Sequence, residues 1–280
     1  VNRMVGAKVS IVSRKVQTTR RRVLGIQMQG NAQVILVDTP GIFAPEGTLE
    51  KSMVKAAWAS VGQADVVIVL VDASRTDAAT ATSLLKRLTH VDKPLYLALN
   101  KVDLVKDRAD LLKLTALFHE QRAFDRTFMI SALHGKSDVQ DLLEAIAQDL
   151  PVGPWLYPED QITDMPMRLL AAEITREKVY DRLHQELPYS IAVETETWEP
   201  FKDGSVRIGQ VIHVQRDNQK IIVLGKNGQQ VKKIGELARK DISAFLGHPV
   251  HLFLYVRVTE RWKEDRSSFM QLGLEGDGLY

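Results

Sequence analysis

The 280-residue sequence contains no cysteine, which excludes disulfides and thiolate metal sites and fits a reducing compartment. No stretch approaches the roughly 18 uninterrupted apolar residues of a membrane-spanning helix, and no secretory leader opens the chain. Internal repeats and low-complexity segments are absent. Net charge is also scarce: 37 Lys and Arg against 35 Asp and Glu leave +2, so any preference for a charged partner must come from where the charges sit. Apolar residues make up 45% of the chain, enough for real cores, and the length predicts two domains.

The stretch Val34-Ile35-Leu36-Val37-Asp38-Thr39-Pro40-Gly41 organises the first half. Four apolar residues, three of them β-branched, predict a strand buried on both faces. An acid follows at its carboxyl end, where open α/β sheets form their ligand crevice. Asp38 there can hold Mg²⁺ through water, and Gly41 can bring its N–H close to a phosphate. Alone, Asp-x-x-Gly is equally the signature of a plain turn.

The surrounding chain alternates strands with helices. A helix tail ends at Gly6, and a hairpin is expected over 22–28 and 33–37 with its turn at Gly30-Asn31. A loop spans 42–51. Helices are expected at 53–61, 80–88, 111–120 and 139–150, and strands at 66–72, 95–99 and 128–130. This predicts βαβ units: an α/β fold with a mostly parallel sheet and helices on both faces. Asp72, ending the second buried strand, reads as a cap or turn residue. Residues 13–22 hold Arg14, Lys15, Arg20, Arg21 and Arg22 without an acid. They read either as a solvated loop or as a mobile segment whose Thr19 hydroxyl reaches a metal and a phosphate.

Two further strand ends carry chemistry. Leu99 runs into Asn100-Lys101-Val102-Asp103, and Ile130 into Ser131-Ala132-Leu133. A carboxylate such as Asp103 can accept two parallel hydrogen bonds from guanine, and adenine lacks that donor pair. The Lys101 stem can lie along a purine face, and Ala132 leaves room for a backbone N–H to meet the guanine oxygen.

With Asp-x-x-Gly and these two loops on successive strand ends, the chain resembles the translation-factor-like GTPases, and within them the Era family, over nearly its whole length. Gln17-Thr18-Thr19-Arg20 resembles the first switch, with Thr19 as the Mg²⁺-sensing residue; Asp38-Thr39-Pro40-Gly41 resembles the second. The resemblance implies GTP/GDP and Mg²⁺ as cofactors. It assigns the metal to Thr19 and Asp38, catalysis to Thr19 and Gly41, and nucleotide contacts to Asp38, Thr39, Pro40, Gly41, Ile42, Asn100, Lys101, Val102, Asp103, Ser131, Ala132 and Leu133. Ile42 stands where some GTPases carry a water-orienting glutamine, so slow hydrolysis is implied. No Gly-x-x-x-x-Gly-Lys-Ser/Thr occurs. In the family that loop, and the central strand feeding it, lie just upstream of residues resembling Val1 to Gly6. A further N-terminal segment in the natural protein is therefore expected.

The Pro-dense run from Pro151 to Pro158 reads as a semi-rigid linker, anchored by Trp155 and Tyr157. Beyond it, 167–187 reads as a helix whose Arg176, Glu177, Lys178 and Asp181 form a solvated, salt-bridged face. Strands are expected at 190–198, 206–215 and 250–258, with a turn at Asp203-Gly204 and a helix at 231–246. Propensity makes Lys220 to Leu224 a strand. The KH-domain pattern it resembles makes it a short helix capped by Asp217 or Asn218, and that reading is adopted. Gly225-Lys226-Asn227-Gly228 then becomes a loop clamping nucleic-acid backbone, with Lys232 and Lys233 as further RNA contacts and Ile221, Ile222 and Ile234 as groove walls. From 218 to 240 six basic residues face one acid, Glu236.

The resulting division is 1–152 for a GTPase domain lacking its first strand and phosphate loop, 153–165 for a linker, 166–268 for a smaller α+β KH domain and 269–280 for a tail, disordered from Gly273 to Tyr280. The Era resemblance implies a monomeric GTP-hydrolysing switch. It would bind small-subunit ribosomal RNA near its 3′ end, assisting 30S subunit biogenesis and 16S processing in the cytoplasm, with a peripheral association at the inner membrane. The rivals are a nucleotide-independent KH protein on a degenerate GTPase scaffold and an assembly factor whose first domain only docks protein.

Overall fold

The run Leu95-Tyr96-Leu97-Ala98-Leu99 is apolar at every position because the strand it forms is covered on both faces. In the computed structural model, which describes residues 1–13, 18–41, 48–75, 78–88, 91–135, 137–183, 187, 190–260 and 262, this strand is β4 (Leu95–Asn100). It lies between β3 (Val67–Asp72) and β5 (Arg126–Ile130), both parallel to it. Its odd-numbered residues pack with Leu85 of helix α3 (Ala78–Arg87) and Phe118 of α4 (Arg108–Gln121). Its even face meets α5 (Ser137–Asp149), where the Tyr96 hydroxyl binds the Ala145 carbonyl at 3.2 Å and the Asp149 carboxylate. Burying Leu95, Leu97 and Leu99 stabilises the sheet by about 2 kcal/mol each.

The chain opens with α1 (Asn2–Val5), closed as expected by Gly6 at φ 75°. The hairpin β1 (Val23–Gln29) and β2 (Ala32–Asp38) follows, then α2 (Thr48–Gln63), which begins inside the expected loop. The hairpin and β3–β4–β5 are separate sheets: β2 and β3 share no ladder among the described residues. The linker is tied to the hairpin. Gln33 accepts from the Leu156 and Tyr157 amides at 2.9 and 3.0 Å and donates to the Tyr157 carbonyl at 2.8 Å, while Trp155 donates to Asn31.

In the second half, α6 (Met167–Arg182) precedes β6 (Ala192–Pro200) and β7 (Val206–Val214), which pair antiparallel. Helices α7 (Asp217–Leu224) and α8 (Gln229–Leu246) then cross over to β8 (Val250–Val258), parallel to β7. The helix at 217–224 agrees with the pattern rather than with propensity; its N-cap is Arg216, not Asp217 or Asn218. Leu170, Ile174, Ile208, Ala238 and Ile242 form the core of α6, α8 and the sheet.

The contacts divide the chain differently from the sequence-based division. One unit holds residues 1–7, 25–37 and 58–163; the other holds 8–24, 38–57 and 164–280. The reason is a set of buried polar anchors on α6. Glu177 accepts from Lys8 at 2.6 Å, Lys178 at 2.9 Å and the Val12 amide at 2.8 Å. Arg176 makes a two-pronged pair with Glu173, at 2.8 and 2.6 Å, and donates to the Thr18 carbonyl at 2.7 Å. The expected solvated face is thus buried at Arg176 and Glu177, and only Asp181 of that set is exposed. The tail expected to be disordered lies outside the described residues.

Burial acts to raise the Glu177 pKa, but the hydrogen bonds from Lys8, Lys178 and Val12 outweigh it and hold the carboxyl below its ordinary value. Such a group adds stability above its unfolded value and loses it as pH falls through the folded one. Acid unfolding should therefore steepen below about pH 4.5, and Glu177→Gln should flatten that slope in a urea titration repeated at pH 3 to 7. At neutral pH, Glu177→Ala should cost about 3 kcal/mol, because the Val12 amide loses its acceptor and Lys8 and Lys178 are left to Asp241.

Candidate nucleotide and RNA sites

Parallel register brings three strand ends level, pairing Asp72 with Asn100 and Asn100 with Ile130. The loops that leave β4 and β5 are then stitched together by one side chain. Asn100 Oδ1 accepts from the Lys101 amide at 2.8 Å and from the Ala132 amide at 3.0 Å. Ser131 is buried and its hydroxyl accepts from the His134 amide at 3.2 Å, fixing the second loop from below.

Lys101 sits at φ 64°, a left-handed conformation that a non-glycine residue holds only when its surroundings impose it. The fold imposes it through Asp72, whose carboxylate accepts from Lys101 Nζ at 2.6 Å and from the Ser74 amide and hydroxyl at 3.0 and 2.6 Å. Burial acts to raise the Asp72 pKa, but the Lys101 and Ser74 hydrogen bonds prevail and keep it below its ordinary value. Asp72 is a turn residue as read from the sequence, and it also positions Lys101, which the sequence reading missed. A second buried strand ending in an acid was the available signal.

The turn Val102–Leu104 then presents Asp103 to solvent. Among the described residues nothing donates a hydrogen bond to its carboxylate. An exposed two-oxygen acceptor beside the Lys101 stem suits the paired N–H donors of guanine. Ala132 and Leu133 are also exposed, at the edge of the same loops.

Thr19 and Asp38 form a second group, described within the other compact unit. Thr19 Oγ1 lies 3.3 Å from Asp38 Oδ2, which also accepts from the Ser10 hydroxyl. One carboxylate and two hydroxyls are hard oxygen donors, and Mg²⁺ takes few protein carboxylates when phosphate and water complete its shell. No cluster of three or more His, Cys, Asp or Glu exists among the described residues. Thr39 is half-buried and Pro40 buried, while Gly41 is exposed and a Cβ on it would meet no atom within 4 Å. Packing among the described residues therefore does not demand glycine here. Ile42 and Gln17 lie outside the described residues.

In the third group, Gly225 (φ 71°), Asn227 (φ 51°) and Gly228 (φ 72°) turn the chain sharply between α7 and α8. A Cβ on Gly225 would lie 2.6 Å from Gln230 Cβ. Gly228 caps α8 with no side chain, so the first-turn N–H groups of an 18-residue helix are left open to an anion. Lys226 and Lys232 are exposed, and Lys233 pairs with Glu236 at 3.0 Å on the surface.

The expected groove walls need correction. Ile221 and Ile222 are exposed, but Ile234 is fully buried with Val223 in the core and can line nothing. The open groove, about 400 Å³, lies instead between α8 and β8, with Val231, Lys232, Arg239, Leu252 and Leu254 among its lining residues. Gly235 lines it as well, and a Cβ there would meet Leu254 at ordinary contact distance, 3.4 Å. That glycine inside an otherwise regular helix was the sequence signal left unused.

Comparison with known proteins agrees with this geometry. A family model described as a 50S ribosome-binding GTPase matches residues 1–101, and one described as a KH domain matches 186–263. GTPase Era of Rhizobium meliloti strain 1021 is 56% identical over 275 residues, covering 98% of this chain and 87% of that protein. GTPase Era of Agrobacterium fabrum strain C58 is 56% identical, covering 98% and 86%. Among solved structures, an alanine variant of Aquifex aeolicus Era bound to GDP and AlF4⁻ superposes with TM-score 0.91 at 37% identity, over 98% of this chain and 93% of that one. Era in complex with MgGDPNP and nucleotides 1506–1542 of 16S ribosomal RNA gives 0.92 at 38%, over 98% and 92%. The level strand ends, the Asn100 stitch and the Gly225–Gly228 turn therefore sit in a chain that belongs to the Era family of GTPases.

Proposed function

We propose that this protein is a GTP-binding and GTP-hydrolysing switch that binds small-subunit ribosomal RNA near its 3′ end and assists assembly of the 30S subunit and processing of its 16S RNA. The observation that carries the nucleotide half is the Asp103 carboxylate, held exposed on a turn whose conformation Asn100, Lys101 and Asp72 impose. The observation supporting the RNA half is an uncapped helix start behind two glycines, next to a groove lined by apolar residues and by Lys232 and Arg239 against one acid, Glu236. Its solved relative carries both a guanine nucleotide with Mg²⁺ and a 16S fragment.

In this reading Asn100, Lys101, Asp103 and the Ser131–Leu133 loop select guanine, and Thr19 and Asp38 hold Mg²⁺. Gly41 offers its N–H to the phosphate whose loss marks hydrolysis. Mg²⁺, when bound, would neutralise charge on the phosphates. The RNA backbone lies on Gly225 to Gly228, with Lys226, Lys232 and Lys233 neutralising phosphate, and bases enter the α8–β8 groove. The place of work is the cytoplasm, the molecule acts as a monomer, and a peripheral contact with the inner membrane belongs to the same reading. A nucleotide-independent KH protein is not favoured, since such a protein would have no use for a strained Lys101 locked onto Asp72.

Titrating the full-length protein with fluorescent GDP, and with ADP as control, should give guanine selectivity that Asp103→Asn lowers by about 30- to 100-fold, from losing a charged two-point acceptor. An unchanged ratio would remove Asp103 from the site. Gly228→Asp should raise the Kd for single-stranded RNA at least about 10-fold, because it adds a negative charge at the helix start and a side chain at φ 72°. RNA binding at the original affinity by a folded variant would move the backbone clamp elsewhere.

A further inference from the structure

The residue after Thr19 is an arginine that the structure buries. Arg20 is 5% exposed, although it comes from a basic stretch that reads as a solvated loop. Its Nη1 donates to the Ile191 carbonyl at 2.6 Å and its Nη2 to the Tyr180 hydroxyl at 3.0 Å. Its guanidinium carbon stands 5.8 Å from the Tyr180 ring centre and 5.6 Å from that of Trp262. On the other side of Thr19, the Thr18 carbonyl is held by Arg176 at 2.7 Å. Both chain neighbours of the proposed metal-sensing hydroxyl are thus fastened to side chains of α6, and on the Arg20 side also to the segment that starts β6.

Trp262 joins a second thread to this point. It is 1% exposed, its Nε1 donates to the Ser190 carbonyl at 3.2 Å, and it forms one apolar cluster with Leu49 and Met53 of α2 and Ala192 of β6. Helix α2 follows the Asp38–Gly41 stretch in the chain. Segments on both sides of the Thr19–Asp38 pair therefore meet the same indole, and that indole rests on the first residue of β6. From β6 the ladder runs through β7 to β8, whose residues line the RNA groove.

We infer that Arg20 and Trp262 are positioning residues that couple the Thr19–Asp38 pair to the RNA-binding sheet, so that nucleotide state and RNA occupancy set each other's affinity through this contact. The inference rests on the switch function proposed above. Arg20 touches no metal or phosphate in this scheme; it acts through Thr19. The Arg20 contacts can break only as a set. Withdrawing the guanidinium gives up the Ile191 and Tyr180 hydrogen bonds and the stacking on Trp262 together, which makes the anchored and released forms of segment 18–20 two discrete states. An effect shared by two sites must be reciprocal, which separates coupling from mere structural support.

The test uses the full-length protein, a fluorescent RNA of 16S nucleotides 1506–1542, and GDP or GDPNP with Mg²⁺. The unaltered protein should bind the RNA about 10-fold differently in the two nucleotide states, and RNA should shift GDPNP affinity relative to GDP by the same factor. Trp262→Phe keeps most of the apolar volume but weakens the stacking on Arg20 and removes the indole donor. Arg20→Lys keeps the charge but loses the planar fork. Both should bring the two ratios to within about 2-fold of unity, with RNA affinity in GDP unchanged for Trp262→Phe. A folded variant, judged by an unaltered thermal transition, that retains the full ratio overturns the inference, and Trp262→Phe decides if Arg20→Lys does not fold. A difference missing already in the unaltered protein overturns the switch reading itself, which distinguishes the two failures.

Discussion

Parallel pairing of β4 with β3 and β5 is the constraint on which the proposed guanine site depends. The ladder sets Asp72, Asn100 and Ile130 at one level, and every later contact there is local. Once Asn100 is level with Ile130, its side chain can reach the Ala132 amide and still accept from Lys101. Once Asp72 is level with Asn100, it stands within reach of Lys101 Nζ. A slip of β4 by one residue would turn the Asn100 side chain to the opposite face of the sheet and break its contacts with the neighbouring strand ends. The unbroken apolar run of β4 is therefore tied to the chemistry at its end: burial on both faces fixes the register, and the register fixes the loops.

The second unit relies on a different device. Helix α6 carries Glu173, Arg176, Glu177 and Lys178 in buried positions, and each meets a partner of opposite charge. Burial alone would drive Glu173 toward neutrality, but the Arg176 charge and hydrogen bonds outweigh it and hold the carboxyl below its ordinary value. Buried pairs of this kind contribute little net stability, and losing one partner is costly. Their contribution is specificity of arrangement: Lys8, Val12, Thr18 and Arg20 each find one place on α6 or beside it. A set of apolar contacts would hold the same segments less uniquely.

What was legible in the sequence follows from range. The strands, most helices and the three chemical loop tips are local patterns, and all appear where periodicity and turn residues put them. Asp72 was readable as a cap or turn residue because acids favour such sites at the end of a buried strand, but its lysine partner is 29 positions away and left no local trace. Arg20 is the extreme case. Its hydrogen-bond partners lie 160 and 171 positions on, and a run of basic residues gives no hint that one of them is buried. Helix α7 was legible only through its resemblance to a known pattern. Ile221, Ile222 and Val223 favour a strand by propensity, and the tertiary fold overrides it by burying Val223 against α8 and the sheet. Ile234 was misplaced because an apolar residue in a helix next to a groove can face either way, and only the packing decides.

The two recognition surfaces divide their work in a way the chemistry requires. Guanine differs from adenine by the donors on one edge, so discrimination needs a fixed acceptor, and a fixed acceptor needs rigid strand ends beneath it. RNA held by its backbone presents the same phosphates whatever its sequence, so the Gly225–Gly228 turn can grip with main-chain N–H groups and open space alone. In the proposed reading, sequence choice falls to the groove beside it, where Arg239 would meet base edges and Leu252 and Leu254 their faces. Gly235 leaves that groove its room: a Cβ there would meet Leu254 at ordinary contact distance, 3.4 Å, and a longer side chain would take up space between α8 and β8.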